Sequence, residues 1–221
     1  MLDFPQMVLA NARSVDEAIE LIGNWRVEGE QFKQFAIPVG FHFSITDNEK
    51  SVVVEFDAGD GTANIYENIY GVMTNNPAYP EQMELAEAMA DSVPKDPQGY
   101  EDTFFGFDRT AEGRFQQIFA TNALRDMSRS TTDFDYVNQA WASVNALEIP
   151  QGTLYWRFLS NEPQMTAYAV VIDIKNMDYY LRTHDNQTIR KIDVDAIDFA
   201  TVEFQSADIY RTASDYEAFE F

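Results

Sequence analysis

Asn75 and Arg114 are the two polar side chains whose placement the surrounding sequence does not explain. Asn75 lies in Thr74-Asn75-Asn76-Pro77, directly after a strand-like run, where the two Asn amides could point donors into a cleft. Turn chemistry is the simpler account, because Asn and Pro both end strands. Arg114 lies in Gly113-Arg114-Phe115, on the presumed buried side of a helix rich in aromatics, where a guanidinium needs a carboxylate partner or a ligand. An ordinary ion pair satisfies that need as well as a ligand does.

Other residue types that carry chemistry are present without the spacing it requires. His42 and His184 are far apart and neither opens a His-x-x-His or His-Glu-x-x-His pattern, so both read as structural and no metal is expected. Asp57-Ala58-Gly59-Asp60-Gly61 has some of the look of a calcium loop but lacks the later oxygen ligands and the terminal Glu, and a hairpin turn explains it better. Asp193, Asp195 and Asp198 alternate with Ile192, Val194 and Ile197, as a solvated edge does. There is no Gly-x-Gly-x-x-Gly, phosphate-binding loop or Gly-x-Ser-x-Gly elbow, and no cofactor is expected. With no cysteine among the 221 residues there is no disulfide, thiolate ligand or thiol nucleophile within them.

The elements that would position Asn75 and Arg114 follow from pattern. Ser14 with Glu17 is a capping-box signature opening a helix with Val15, Ala18, Leu21 and Ile22 on its apolar stripe, after a short apolar stretch from Leu2 to Ala10. Strands are expected over Phe35 to Thr46, Ser51 to Asp57 and Thr62 to Tyr70, joined as a meander. The consecutive Val52, Val53 and Val54 imply a sheet covered on both faces, by helices. Helices are expected over Glu81 to Ala90, over Thr110 to Arg125 with Phe115, Ile118, Phe119 and Asn122 on one side, and over Asp133 to Leu147 with Val137, Trp141 and Val144 in register. A turn-forming loop, Val93 to Gly99, separates the first two. Strands return at Thr153 to Leu159, Ala167 to Ile174 and Tyr179 to Thr183, with Lys175 to Asp178 as a hairpin loop, and Ser214 to Phe221 is left unassigned. The fold class is α+β, with no repeat and no linker, so one domain spans 1–221.

Composition narrows the partners. A net charge of -22, from 15 Lys and Arg against 37 Asp and Glu, disfavours nucleic acid and an anionic membrane surface, both of which call for a basic footprint. No stretch approaches a membrane span and no leader pattern opens the chain.

Val72-Met73-Thr74-Asn75-Asn76-Pro77-Ala78-Tyr79 closely resembles the Thr-Asn-x-Pro segment of choloylglycine hydrolases and penicillin V acylases. The surroundings agree in order: Ser14 to Ala18 is similar to the family's helix before its central strands, and Phe41 to Asp47 followed by Val52 to Glu55 to its first hairpin. Arg114-Phe115 with Thr121-Asn122-Ala123 resembles its Arg-Phe helix, and Trp141 to Pro150 its Ser-Val-x-x-Pro-like stretch. Thr166 to Asn176, then Tyr179 to Asn186, is similar to the closing strand pair, so almost the whole chain is covered.

The resemblance implies an αββα sandwich of the N-terminal-nucleophile hydrolase type that hydrolyses linear amide C–N bonds other than peptide bonds. A mature N-terminal cysteine would act as nucleophile through its thiol and as base through its α-amino group. By the same resemblance Asn75 would donate its amide to the oxyanion and Arg114 would stabilise the thiolate and developing charge. Substrates would be small acyl amides such as conjugated bile salts, penicillin V or N-acyl homoserine lactones. Tyr79, Phe104 and Phe105 could line an acyl pocket, although core or loop packing accounts for them equally. The family's Cys, the Arg and Asp after it and a further oxyanion Asn belong to a leading region with no equivalent in these residues. The expectation is therefore a sandwich incomplete at its N-terminus and a chain inactive alone. Its alternative is a non-catalytic remnant that binds a ligand or partner subunit. Cytoplasm and periplasm both stay open, as does a homo-oligomer.

Overall fold

The computed structural model describes residues 3–27, 41–56, 59–90, 109–155 and 161–210. Phe104, Phe105, the loop from Val93 to Gly99 and the end from Ser214 lie outside these, as do parts of the strands expected from Phe35 and from Thr153. The chain divides into two compact units, Met1–Asp126 and Met127–Phe221, where the sequence showed no linker.

The first unit opens with a helix the apolar stretch had concealed, α1 (Phe4–Asn11). Pro5 fits its first turn, where a missing N–H costs nothing, and Phe4 and Val8 share the buried face. Helix α2 (Val15–Gly23) buries Val15, Ala18 and Ile22, and Ser14 caps it by accepting from the Glu17 N–H. The capping box is displaced by one residue, because the Glu17 carboxylate accepts from the Arg13 N–H at 2.8 Å and not from Ser14. Asp47, in the turn between the first two strands, supplies another cap by accepting from the Val15 N–H at 2.7 Å.

Strands β1 (His42–Thr46), β2 (Ser51–Glu55) and β3 (Asn64–Glu67) form the expected antiparallel meander, shorter at the third strand. Pairing of Ser44 with Val53 and of Val53 with Tyr66 fixes which side chains share a face. Phe43, Ile45, Val52, Val54 and Ile65 meet α1 and α2, with Phe4 ringed by Phe43 at 4.5 Å and Phe56 at 5.4 Å. The opposite face carries His42, Ser44, Val53, Glu55, Asn64 and Tyr66, and Tyr79, the first residue of the helix that follows, stands with its ring 5.7 Å from that of Tyr66.

Helices α3 (Tyr79–Ala90) and α4 (Ala111–Leu124) pack on each other through Ala86, Met89, Phe115, Phe119 and Ala120. Asn122, expected on that apolar side, is exposed, because the buried face turns from Phe119 to Ala120.

In the turn at Asp60 the carboxylate accepts from the Thr62 N–H and hydroxyl and faces Arg26. Among the described residues no acidic or His cluster could hold a metal. Gly61, at φ 79°, packs so closely that a Cβ there would overlap the Val27 carbonyl oxygen. Gly61→Ala is expected to lower the unfolding free energy by at least about 2 kcal/mol, combining left-handed strain with displacement of Val27. Denaturant unfolding checks this, and a loss below about 0.5 kcal/mol would show that the turn relaxes.

In the second unit α5 (Asp133–Leu147) starts at a full capping box, in which Thr132 Oγ1 accepts from the Asp135 N–H and Asp135 accepts from the Thr132 N–H. Its Val137 and Trp141 pack on Ala169 and Val171 of a sheet ordered β6 (Tyr168–Asp173), β7 (Asp178–Thr183) and β8 (Asn186–Asp193). The last strand was foreseen only as an edge at Asp193. Asp193 at its end and Asp198 beyond it accept turn N–H groups, which supports their reading as solvated carboxylates. Two-residue strands β4 (Leu154–Tyr155) and β5 (Pro163–Gln164) pair by themselves. No described helix is long and apolar enough to cross a membrane.

Candidate active site

The segment Thr74–Tyr79 links the sheet to α3, and its shape is imposed from below by one buried amide. Gln82, one turn into α3 and 0% exposed, accepts from the Thr74 N–H at 2.9 Å and donates to the carbonyls of Thr74 at 3.1 Å and Pro77 at 2.7 Å. Its oxygen and nitrogen thus satisfy three backbone groups that the irregular chain leaves without a ladder partner. Thr74 ties the same loop to the start of α4, its hydroxyl donating to the Ala111 carbonyl at 3.0 Å. The Asn76–Pro77 peptide is cis.

This framework brings Asn75 and Arg114 together across 39 residues of sequence: Arg114 Nη2 donates to Asn75 Oδ1 at 2.8 Å. The contact has a chemical consequence. A guanidinium has only donors, so it fixes which end of the Asn75 amide is oxygen and leaves the Nδ2 hydrogens directed away from Arg114. Asn75 is exposed, so those hydrogens are open to an incoming group. Arg114 Nη1 donates to the Arg109 carbonyl at 2.7 Å, a second anchor on the guanidinium plane. Among the described residues no carboxylate pairs with Arg114. Partial burial, with the Arg109 charge beside it, pulls the Arg114 guanidinium below its ordinary value. An amide donor and a half-buried cation side by side are the components that stabilise negative charge developing on an acyl oxygen or on a thiolate.

For Tyr79 the sequence left a pocket wall and core packing equally open, and the structure buries it. It is 1% exposed, and its hydroxyl donates to Asn68 Oδ1 at 2.9 Å. Its N–H donates to both oxygens of Glu55, at 2.9 and 3.1 Å, and Glu55 is in turn paired with His42 Nδ1 at 3.0 Å. Tyr79 therefore supports the loop from inside, and Phe104 and Phe105 lie outside the described residues.

Burial pushes the Tyr79 phenol up to about 12, with the Glu55 charge adding to it. The fold favours the neutral phenol, so this contribution to stability is whole below the unfolded value of about 10 and is lost as pH rises through the folded one. Tyr79→Phe is expected to flatten the alkaline fall in unfolding free energy at a neutral-pH cost of about 1 kcal/mol for the lost hydrogen bond. The check is unfolding across that alkaline range together with phenolate absorbance; an unchanged profile would assign the late phenol elsewhere.

Gln82, Glu55 and His42 were not picked out from sequence as supports for this loop. The available signal for Gln82 was its place on the apolar stripe of α3 with Tyr79, Ala86 and Met89. For Glu55 it was the continuation of Val52 to Val54, a run in which every residue is buried.

Asn75, in the loop before α3, and Arg114, in the first turn of α4, thus put an amide and a cation side by side, and comparison with known proteins assigns the chain to a family. The chain belongs to the linear amide C–N hydrolases of the choloylglycine hydrolase family, whose model matches residues 2–209. An uncharacterised protein of Paramecium bursaria Chlorella virus 1 is 25% identical over 195 residues, 84% of this chain and 69% of the relative. Among solved structures, a cysteine-to-alanine mutant of conjugated bile acid hydrolase from Clostridium perfringens superposes with a TM-score of 0.75 at 20% identity, covering 97% of this chain and 68% of that one. Penicillin V acylase from Agrobacterium tumefaciens gives a TM-score of 0.65 at 20% identity, over 89% of this chain and 56% of that one. The chain has the α+β fold of N-terminal-nucleophile hydrolases.

Proposed function

We propose that these residues form the oxyanion-stabilising part of an amide hydrolase site acting on an acylated small molecule, of the bile salt, penicillin V or N-acyl homoserine lactone type. The observation that carries the reading is the 2.8 Å contact of Arg114 with Asn75 Oδ1, which frees the amide hydrogens for a substrate oxygen. In this reading a cysteine thiolate attacks the amide carbonyl, a C–S bond forms, and the carbonyl electron pair moves to an oxygen held by Asn75 Nδ2. The tetrahedral species collapses, the C–N bond breaks, the amine leaves with a proton, and water hydrolyses the thioester. Arg114 lowers the energy of the anionic species along this path. The thiol is not among these 221 residues, which hold no cysteine, and the reading requires it from a segment beyond them.

That same absence favours a second reading, in which the scaffold binds an acyl amide or a partner subunit without turning it over. The deciding experiment assays the chain as given, and a form extended upstream in its reading frame to a cysteine, for amine release from penicillin V and glycine-conjugated bile salts. Activity in the extended form alone supports the hydrolase. Saturable binding of an uncleaved amide by both forms supports the second reading.

A further inference from the structure

We propose that Glu55, with His42 bound to it, is a positioning residue for Asn75; this rests on the reading of Asn75 as the oxyanion donor. The loop Thr74–Tyr79 has two ends, and Gln82 holds the one at Thr74. The other is held by Glu55 of β2, a buried carboxylate whose two oxygens accept from the Tyr79 N–H at 2.9 and 3.1 Å. That N–H belongs to the first turn of α3, where the helix leaves its donors unsatisfied and its dipole favours a negative charge. The carboxylate is itself oriented, since His42 Nδ1 stands 3.0 Å from Oε1 on the neighbouring strand, at the register position directly across from it.

An ionised Glu55 only accepts, so its pairing with His42 calls for a proton on Nδ1. The chain of contacts runs from His42 through Glu55 to the Tyr79 backbone, four residues after Asn75. The Tyr79 side chain completes the anchor through Asn68, whose Oδ1 also accepts from the Val72 N–H at 3.1 Å on the near side of the loop. The loop is thus fastened to β2 and to the segment following β3, and this fastening restricts the movement of Asn75 between its two ends. A donor that acts on a transition state depends on being held in place before the charge arrives.

The test uses nitrogen-labelled 221-residue chain carrying Glu55→Ala or Glu55→Gln. Glu55→Ala is expected to raise hydrogen exchange at the Tyr79 amide about 10- to 100-fold and to shift the Asn75 side-chain amide resonances. Glu55→Gln keeps an oxygen for Tyr79 and turns its amide hydrogens to His42, so it should leave the Asn75 resonances in place while moving the His42 proton from Nδ1 to Nε2. Unmoved Asn75 resonances in folded Glu55→Ala overturn the assignment. If that variant does not fold, Glu55→Gln decides it, and a proton retained on His42 Nδ1 overturns it. In a thiol-bearing form that turns over substrate, Glu55→Ala lowers kcat about 10- to 100-fold with KM nearly unchanged and Glu55→Gln recovers most of it; an unaltered kcat in Glu55→Ala overturns the proposal. A thiol-bearing parent that hydrolyses nothing removes the acyl-transfer reading only, because exchange and resonance positions still decide the clamp.

Discussion

Asn75→Ala, in a form that carries the thiol, is expected to lower kcat about 100- to 1,000-fold while leaving KM close to the parent value. The asymmetry follows from what the donor touches. A carbonyl oxygen in the bound amide is nearly neutral and gains little from one more N–H, whereas the tetrahedral oxygen is anionic and gains a charge-assisted hydrogen bond. Asn75→Asp separates this role from a merely structural one. A carboxylate at position 75 would pair with Arg114, whose Nη2 already stands 2.8 Å from the Asn75 oxygen, so the loop should stay as stable or become more so. It would present no N–H, and activity should fall as far as in Asn75→Ala. Asp retaining more than about a tenth of parental kcat would place the oxyanion donor elsewhere. Stability and kcat moving together in both variants would make Asn75 a loop residue.

Gln82→Leu is expected to lower the unfolding free energy by about 2 to 4 kcal/mol, the largest stability loss at any polar residue near the site. Leucine nearly matches the volume, so the cost is polar: the Thr74 N–H and the Thr74 and Pro77 carbonyls lose the partner that satisfied all three. These groups are only partly buried, which holds the figure below the sum of three fully buried losses. Gln82→Glu gives the sharper result. A carboxylate still accepts from Thr74 but faces two carbonyl oxygens, so it is expected to hold a proton in the folded state. Its folded pKa then lies above the unfolded one, and the variant should be most stable at low pH and weaken as pH rises through the carboxylate range. Thermal or denaturant unfolding from acid to neutral pH reads this directly. A parent-like pH profile for Gln82→Glu would show that the loop swings its carbonyls away.

Alternation and capping in the sequence were sufficient for most elements. The meander from β1 to β3, the cap at Ser14 and the full length of α5 follow from local pattern, because strand alternation and helix capping act within a few residues. Helix α1 was missed because eight residues with a Pro near the start carry too little periodicity to read. Strand β8 was missed because its polar face, Gln187 to Lys191, hides the alternation. The family, too, was legible, through short segments in the right order.

The sequence by itself drew attention to the Thr74-Asn75-Asn76-Pro77 segment and to Arg114, and the family resemblance singled out Asn75 within the first. Only the tertiary structure decided that Asn75 and Arg114 touch, 39 residues apart, and which end of the Asn75 amide is left free. It alone placed Tyr79 in the interior, one of the two positions its sequence left open, and made Gln82, Glu55 and His42 supports for the loop. The physical reason is the range of the interactions. Propensity and periodicity are local and are written in neighbouring residues, whereas the satisfaction of a buried polar group depends on whichever partner the folded chain brings within about 3 Å, and that partner leaves no mark at its own position.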